Sequence, residues 1–155
     1  PDRGQAIFHL KDAELVTQLI EGVFPDYRAI IPPSFKTRMV ISTAEFLKAC
    51  RQAEIIAREG NYVLRINMKP QEGGPGTVEF STQSEEMGSA EVLADANIEG
   101  AGLLIAFNVR FLSEVLDVIT TPNTILETNQ DNTPGMISPL GDDNFKHVIM
   151  PMHLG

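Results

Sequence analysis

The sequence predicts an α+β domain built from two similar units, each a strand, a helix and three strands, with both helices packed on one face of an antiparallel sheet. Three observations carry this expectation. Only two segments space their apolar residues at helical period, and each is opened by a capping residue and preceded by a short apolar strand. Three short strand-like stretches follow each of them. The two helices also align at a displacement of 65 positions (46 to 111), which sets Phe46-Leu47 over Phe111-Leu112. A duplicated order of elements implies one domain with internal pseudo-symmetry.

Taken in order, the first stretch reads as two strands, Gln5 to Leu10 and Ala13 to Ile20, joined by a charged turn at Lys11-Asp12. A lone hairpin is marginal in water, so these strands are expected to belong to a larger sheet. Phe24 to Pro33 contains three prolines and reads as an extended connector. A strand from Thr37 to Ile41 then enters a helix with Ser42 as N-cap and Glu45 three residues on, a capping-box signature. Phe46, Leu47, Cys50, Ala53 and Ala57 form its apolar stripe, and Gly60 suits its C-terminal end. Three strands follow: Tyr62 to Met68, Thr77 to Thr82 after the Gly73-Gly74-Pro75-Gly76 turn, and Ser89 to Ala94. The second unit opens with Leu103 to Phe107, and Asn108 caps a helix carrying Phe111, Leu112, Val115, Leu116, Val118 and Ile119 that breaks before Pro122. Its three strands are expected near Ile125 to Thr128, Met136 to Ser138 and His147 to Met150.

Composition narrows the function. The chain has 155 residues and is 43% hydrophobic, enough for one core without metal or disulfide support. Cys50 is the only cysteine, which excludes an intrachain disulfide and a Cys-based zinc site and reads as a small buried hydrophobe in a cytoplasmic protein. No apolar run approaches the ~20 residues of a membrane span, and no signal peptide opens the chain. It begins Pro1-Asp2-Arg3-Gly4 without Met, as a cut piece of a longer protein would. The net charge is −9, distributed unevenly: residues 1–70 hold ten Lys and Arg against eight Asp and Glu, and residues 71–155 hold two against thirteen. Such a chain is not a conventional nucleic-acid binder, and its acidic half suits a basic partner.

No catalytic constellation emerges. His9, His147 and His153 lack metal-site spacing. Asp142-Asp143 lies in a Gly-Asp-Asp-Asn loop that turn chemistry explains. Gly73 to Gly76 lacks the Lys-Ser/Thr and the helix of a phosphate loop, and no Ser or Cys has an evident base. Neither an enzyme, a cofactor nor a metal site is expected.

Three segments resemble the bacterial DNA polymerase III beta subunit, the sliding clamp family. Val148-Ile149-Met150-Pro151-Met152-His153-Leu154 is similar to that family's C-terminus. Leu19 to Arg28 resembles the junction between its second and third domains, and Ile105 to Leu112 the entry to one of its helices. The resemblance implies the DNA-clamp fold, with residues 1–33 as the last strands of the middle domain plus connector and residues 34–155 as the complete third domain. It further implies a processivity factor that encircles duplex DNA as a homodimer of the full-length protein. Its partners would be the catalytic subunit of DNA polymerase III, the clamp loader and other proteins bearing clamp-binding peptides.

The resemblance assigns a partner-peptide groove to Pro25, Ile30, Pro134, Val148, Met150, Pro151, Met152 and Leu154. Met-rich surfaces suit several partners in turn. Ala29 and His153 depart from the family by standing where Arg is common, and part of the groove belongs to a middle-domain segment this chain lacks. Ile55 and Ile56 fall at the implied subunit interface, with Glu85, Glu86 and Glu91 as candidates for ion pairs there. Ile55 lies opposite the Phe46/Cys50/Ala57 stripe, alongside Lys48 and Arg51. Lys48, Arg51, Arg58 and Arg110 would face DNA weakly, since Glu45, Glu54, Glu59, Glu114 and Asp117 share their helices. A peptide-binding module unrelated to replication is the alternative, and a hydrolase using Asp142 and Asp143 a more distant one.

Overall fold

The computed structural model describes residues 4–24 and 26–153. Gln5–His9 (β1) and Glu14–Gln18 (β2) form a hairpin in which Ile7 faces Val16 and Phe8 faces Leu15. The expectation that they join a larger sheet is not met: among the described residues they pair only with each other. Side chains alternate across a strand, so each face of the ribbon carries one of these apolar pairs. All four residues remain more than half exposed. The connector is not wholly extended either. Asp26 accepts a hydrogen bond from the Arg28 backbone N–H at 3.1 Å and caps a single 3-10 turn, Tyr27–Ala29.

The remaining elements are Thr37–Ser42 (β3), Thr43–Ala57 (α1), Val63–Lys69 (β4), Gly76–Ser84 (β5), Gly88–Gly100 (β6), Leu103–Asn108 (β7), Val109–Val118 (α2), Asn123–Thr128 (β8), Gly135–Pro139 (β9) and His147–Ile149 (β10). The eight strands form one antiparallel sheet in the order β10-β9-β8-β3-β6-β5-β4-β7. Within it the two units trade strands. β3, the first strand of the first unit, pairs with β8 of the second, and β7 pairs with β4 of the first. Strict alternation along β3, β4, β5 and β8 sends one set of residues, among them Met39, Leu64, Ile66, Phe80 and Leu126, into the core beneath both helices.

Each helix begins where the sequence says it should. The Ser42 hydroxyl accepts from the Glu45 N–H at 3.4 Å, and the Asn108 side chain accepts from the Arg110 N–H at 3.0 Å. These caps stand 66 positions apart (42 to 108), one more than the alignment of Phe46 with Phe111 supposes. At a displacement of 66, Thr43, Phe46, Ala49, Cys50 and Ala53 superimpose on Val109, Leu112, Val115, Leu116 and Ile119, and every one is buried. Phe111 and Val118 therefore leave the core stripe, at 54% and 63% exposure. Matching two aromatic rings misled the alignment, whereas burial follows the caps.

Phe46 packs on Phe80 with ring centroids 5.2 Å apart and planes tilted by 31°, joining α1 to the sheet. Such a pair contributes about 0.5–1.5 kcal/mol beyond the area it buries. The Thr43 hydroxyl donates to the Thr121 carbonyl at 2.8 Å, which uses its one proton, so Thr124 donates to Thr43 across 2.8 Å. The end of α1 differs from expectation. Asn61 and Tyr62, not Gly60, take the left-handed conformation, both at φ 60°. Gly60 is required for space instead, since a Cβ there would stand 2.8 Å from the Gln83 carbonyl oxygen.

Candidate functional site

The duplication explains where the sheet is incomplete. Where the two units meet, β3 lies between β8 of the second unit and the end of β6 of its own, pairing with β6 over four residues, from Thr37 opposite Gly100 to Val40 opposite Asn97. Pseudo-symmetry would pair β7 with a continuation of β10 in the same way. β6 is thirteen residues long and reaches its partner; β10 has only three, and Pro151 follows shortly after it. Proline lacks the N–H that a ladder needs. A single backbone hydrogen bond spans this second junction among the described residues, from the Met152 N–H to the Ala106 carbonyl at 2.7 Å. Phe107 closes the seam from below, its ring against Gly135, where a Cβ would meet it at 2.7 Å.

The seam opens to solvent as a cleft of about 500 Å³ between the run after β10 and the first turns of α2. One wall is Val148, Met150, Pro151 and Met152; the other is Asn108, Phe111 and Glu114. A second hollow, of about 220 Å³, shares Met150, Pro151 and Met152 with it and includes Asp131 and His153. Met150 is 64% exposed and Phe111 54%, so two large apolar side chains face water on opposite walls. His147 is half-buried at the cleft, and desolvation pushes its imidazole below the usual histidine range.

Four of the residues assigned to the groove, Val148, Met150, Pro151 and Met152, thus line one cleft. Ile30 and Pro134 line neither hollow, and Pro25 and Leu154 lie outside the described residues. Sequence reading missed Phe111, Asn108 and Glu114 as wall residues. The signal was present in the cap positions, which turn Phe111 outward.

The other assigned residues gather on α1 and the neighbouring strands. Ile55 is 57% exposed and borders a shallow hollow of about 440 Å³ with Leu47, Lys48 and Arg51, so these lie on one outer face. Ile56 is half-buried. Past the end of α1, Glu59 shares a hollow of about 280 Å³ with Glu85 and Glu86 of the β5–β6 turn. Glu91 is exposed on β6, whose residues 88–95 pair with β5 on one side and with no strand on the other among the described residues. The basic residues differ in freedom. Arg51 bonds Asp117 of α2 at 2.6 Å, and Arg110 lies over the Tyr62 ring at 5.2 Å. Lys48 and Arg58 are exposed.

Among the described residues no group of three or more His, Cys, Asp or Glu is arranged to hold a metal, and no helix is long and apolar enough to cross a membrane. Asp142 accepts from both the backbone and side-chain N–H of Asn144, at 2.9 and 3.0 Å, which is the turn chemistry its loop suggested. Burial pushes the Cys50 thiol far up, leaving it protonated and inert.

Comparison with known proteins places this geometry. Residues 28–153 match the family model described as the DNA polymerase III beta subunit, C-terminal domain. The beta sliding clamp of Synechococcus elongatus is 28% identical over 153 residues, which is 99% of this chain and 40% of that protein. That of Staphylococcus aureus is 30% identical over 150 residues, 96% of this chain and 38% of its own length. The crystal structure of the DNA polymerase III beta subunit from Thermotoga maritima superimposes with a TM-score of 0.85 at 26% identity, covering 99% of this chain and 40% of that one. The chain spans about 40% of the length of these relatives. The DNA-clamp fold is therefore that of this molecule, and the chain belongs to the DNA polymerase III beta subunit family, the sliding clamps, matching its C-terminal domain.

Proposed function

We propose that this chain serves as the third domain of a ring-forming processivity factor, which encircles duplex DNA in the cytoplasm and tethers polymerase and other partners through the cleft at the open seam. The observation that carries the proposal is that cleft: an apolar trough of about 500 Å³ walled by Met150, Met152 and Phe111 at the seam between β7 and β10. Long, adaptable Met side chains beside an aromatic anchor suit short apolar peptide segments. The mechanism is tethering without chemistry, in which a bound polymerase is kept near its template at high effective concentration.

On this reading residues 1–33 end the preceding domain, and residues 34–155 form the third. Ile55, Ile56, Glu85, Glu86 and Glu91 meet the neighbouring subunit. The free edge of β6 and the acidic hollow at Glu59, Glu85 and Glu86 ask for a basic partner surface there. Lys48, Arg51, Arg58 and Arg110 face DNA. With Arg51 tied to Asp117 and a net charge of −9, phosphate contacts are weak, which suits a ring that slides.

The test is titration of a fluorescent clamp-binding peptide from a replicative polymerase into the 155-residue chain, with Met152→Ala and Phe111→Ala as controls. Saturable binding that both substitutions weaken supports the cleft. Binding equal in all three proteins, or none to the intact chain, refutes it.

A further inference from the structure

We infer that the cleft selects partner peptides whose apolar segment is flanked by lysine or arginine. This deepens the tethering role proposed above and rests on it. The walls supply the apolar half of the recognition through Phe111, Met150 and Met152. The charged half comes from two exposed carboxylates in the two hollows that share the Met150–Met152 run, Glu114 in the larger and Asp131 in the smaller.

Among the described residues no Lys or Arg lines either hollow. Arg110, on the same helix turn as Phe111, is engaged with the Tyr62 ring at 5.2 Å. His147 is held towards its neutral form by desolvation. The surrounding chain reinforces the field, since residues 71–155 carry two basic residues against thirteen acidic ones. Complementary charge at the rim of an apolar groove fixes partner choice and orientation more than it adds raw affinity. A peptide laid along the run that the two hollows share would seat its apolar side chains there and bring a flanking cation to the carboxylate of each hollow.

The experiment uses three labelled peptides with one apolar core, flanked on both sides by Lys, Ser or Glu, titrated into the full chain at low and high salt. The Lys-flanked peptide is expected to bind about tenfold more tightly than the Glu-flanked one at low salt, the Ser-flanked peptide lying between. High salt should narrow the gap. Glu114→Gln combined with Asp131→Asn should abolish it; both residues are exposed, so folding is not at stake. Equal affinities for the three peptides, tighter binding of the Glu-flanked one, or a gap that survives the double substitution would overturn the inference and leave the cleft itself standing. Failure of all three peptides to bind, or binding indifferent to Met152→Ala, would remove the cleft and the inference together.

Discussion

Leu112→Ala and Phe111→Ala, made one at a time, should differ sharply in stability although the residues are adjacent. Leu112 is fully buried between α2 and the sheet, and at the displacement of 66 positions (46 to 112) it is the counterpart of Phe46. Truncating a fully buried leucine costs about 2–5 kcal/mol, the transfer of the lost atoms plus the cavity they leave. With a urea dependence of about 1–3 kcal/mol/M, a loss in the middle of that range lowers the unfolding midpoint by about 1–3 M. Phe111 is 54% exposed on the cleft wall, so its truncation should cost no more than about 1 kcal/mol. Equilibrium urea unfolding followed by circular dichroism gives both midpoints. The same Phe111→Ala protein should lose affinity for an apolar peptide, separating a wall residue from a core residue in one pair of variants. A Phe111→Ala loss as large as that of Leu112→Ala would refute the register, and with it the origin assigned to the cleft.

Other consequences follow from single positions. Gly100 sits at φ +90°, and a Cβ there would fall 1.9 Å from the Lys36 carbonyl oxygen, at the β3–β6 junction. Gly100→Ala should therefore cost at least ~3 kcal/mol, or prevent folding, as judged by thermal melting against a Gly74→Ala control whose Cβ meets nothing. Cys50 should resist a thiol reagent in the native chain and react at once in denaturant. Because its folded pKa lies above the unfolded one, the thiol is neutral in both states at low pH. Stability should hold there and fall as pH rises past the ordinary thiol value of 9.0, where only the unfolded chain ionises. Arg51→Ala should change stability by less than ~1 kcal/mol despite the 2.6 Å contact with Asp117, because both side chains are well exposed and screened.

Most of the framework was legible in the sequence because it depends on local rules. Ser42 and Asn108 cap helices whatever the tertiary context, and the period-2 strands around Met39, Ile66 and Phe80 alternate strictly because one face is buried. What escaped was relational. Nothing local says that β3 also pairs with β8 of the other unit, or that β6 runs on to Gly100 because Asn97 to Gly100 find β3. The isolated hairpin escaped for the same reason: Ile7 and Phe8 read as sheet residues but meet no further strand among the described residues. The groove was half legible. Met150-Pro151-Met152 stood out by composition, whereas Phe111 looked like core because an aromatic at helical spacing usually is. Ile30 and Pro134 came from resemblance alone, and neither lines the hollows.

The exchange of first strands also governs the order of events during synthesis. Thr37 must wait for Thr128, ninety-one positions later (37 to 128), before its outer neighbour exists. The half that emerges first from the ribosome holds α1 and the β4–β5–β6 meander but lacks both β8 and β7. It cannot cover its own apolar face, so a stop between the units yields a sticky intermediate instead of a folded half. Pairings this distant raise the contact order and slow folding relative to a helical protein of equal size. A domain that looks assembled from two modules therefore folds as one, and cutting the chain between Gly100 and Leu103 should give two halves that are stable only when mixed.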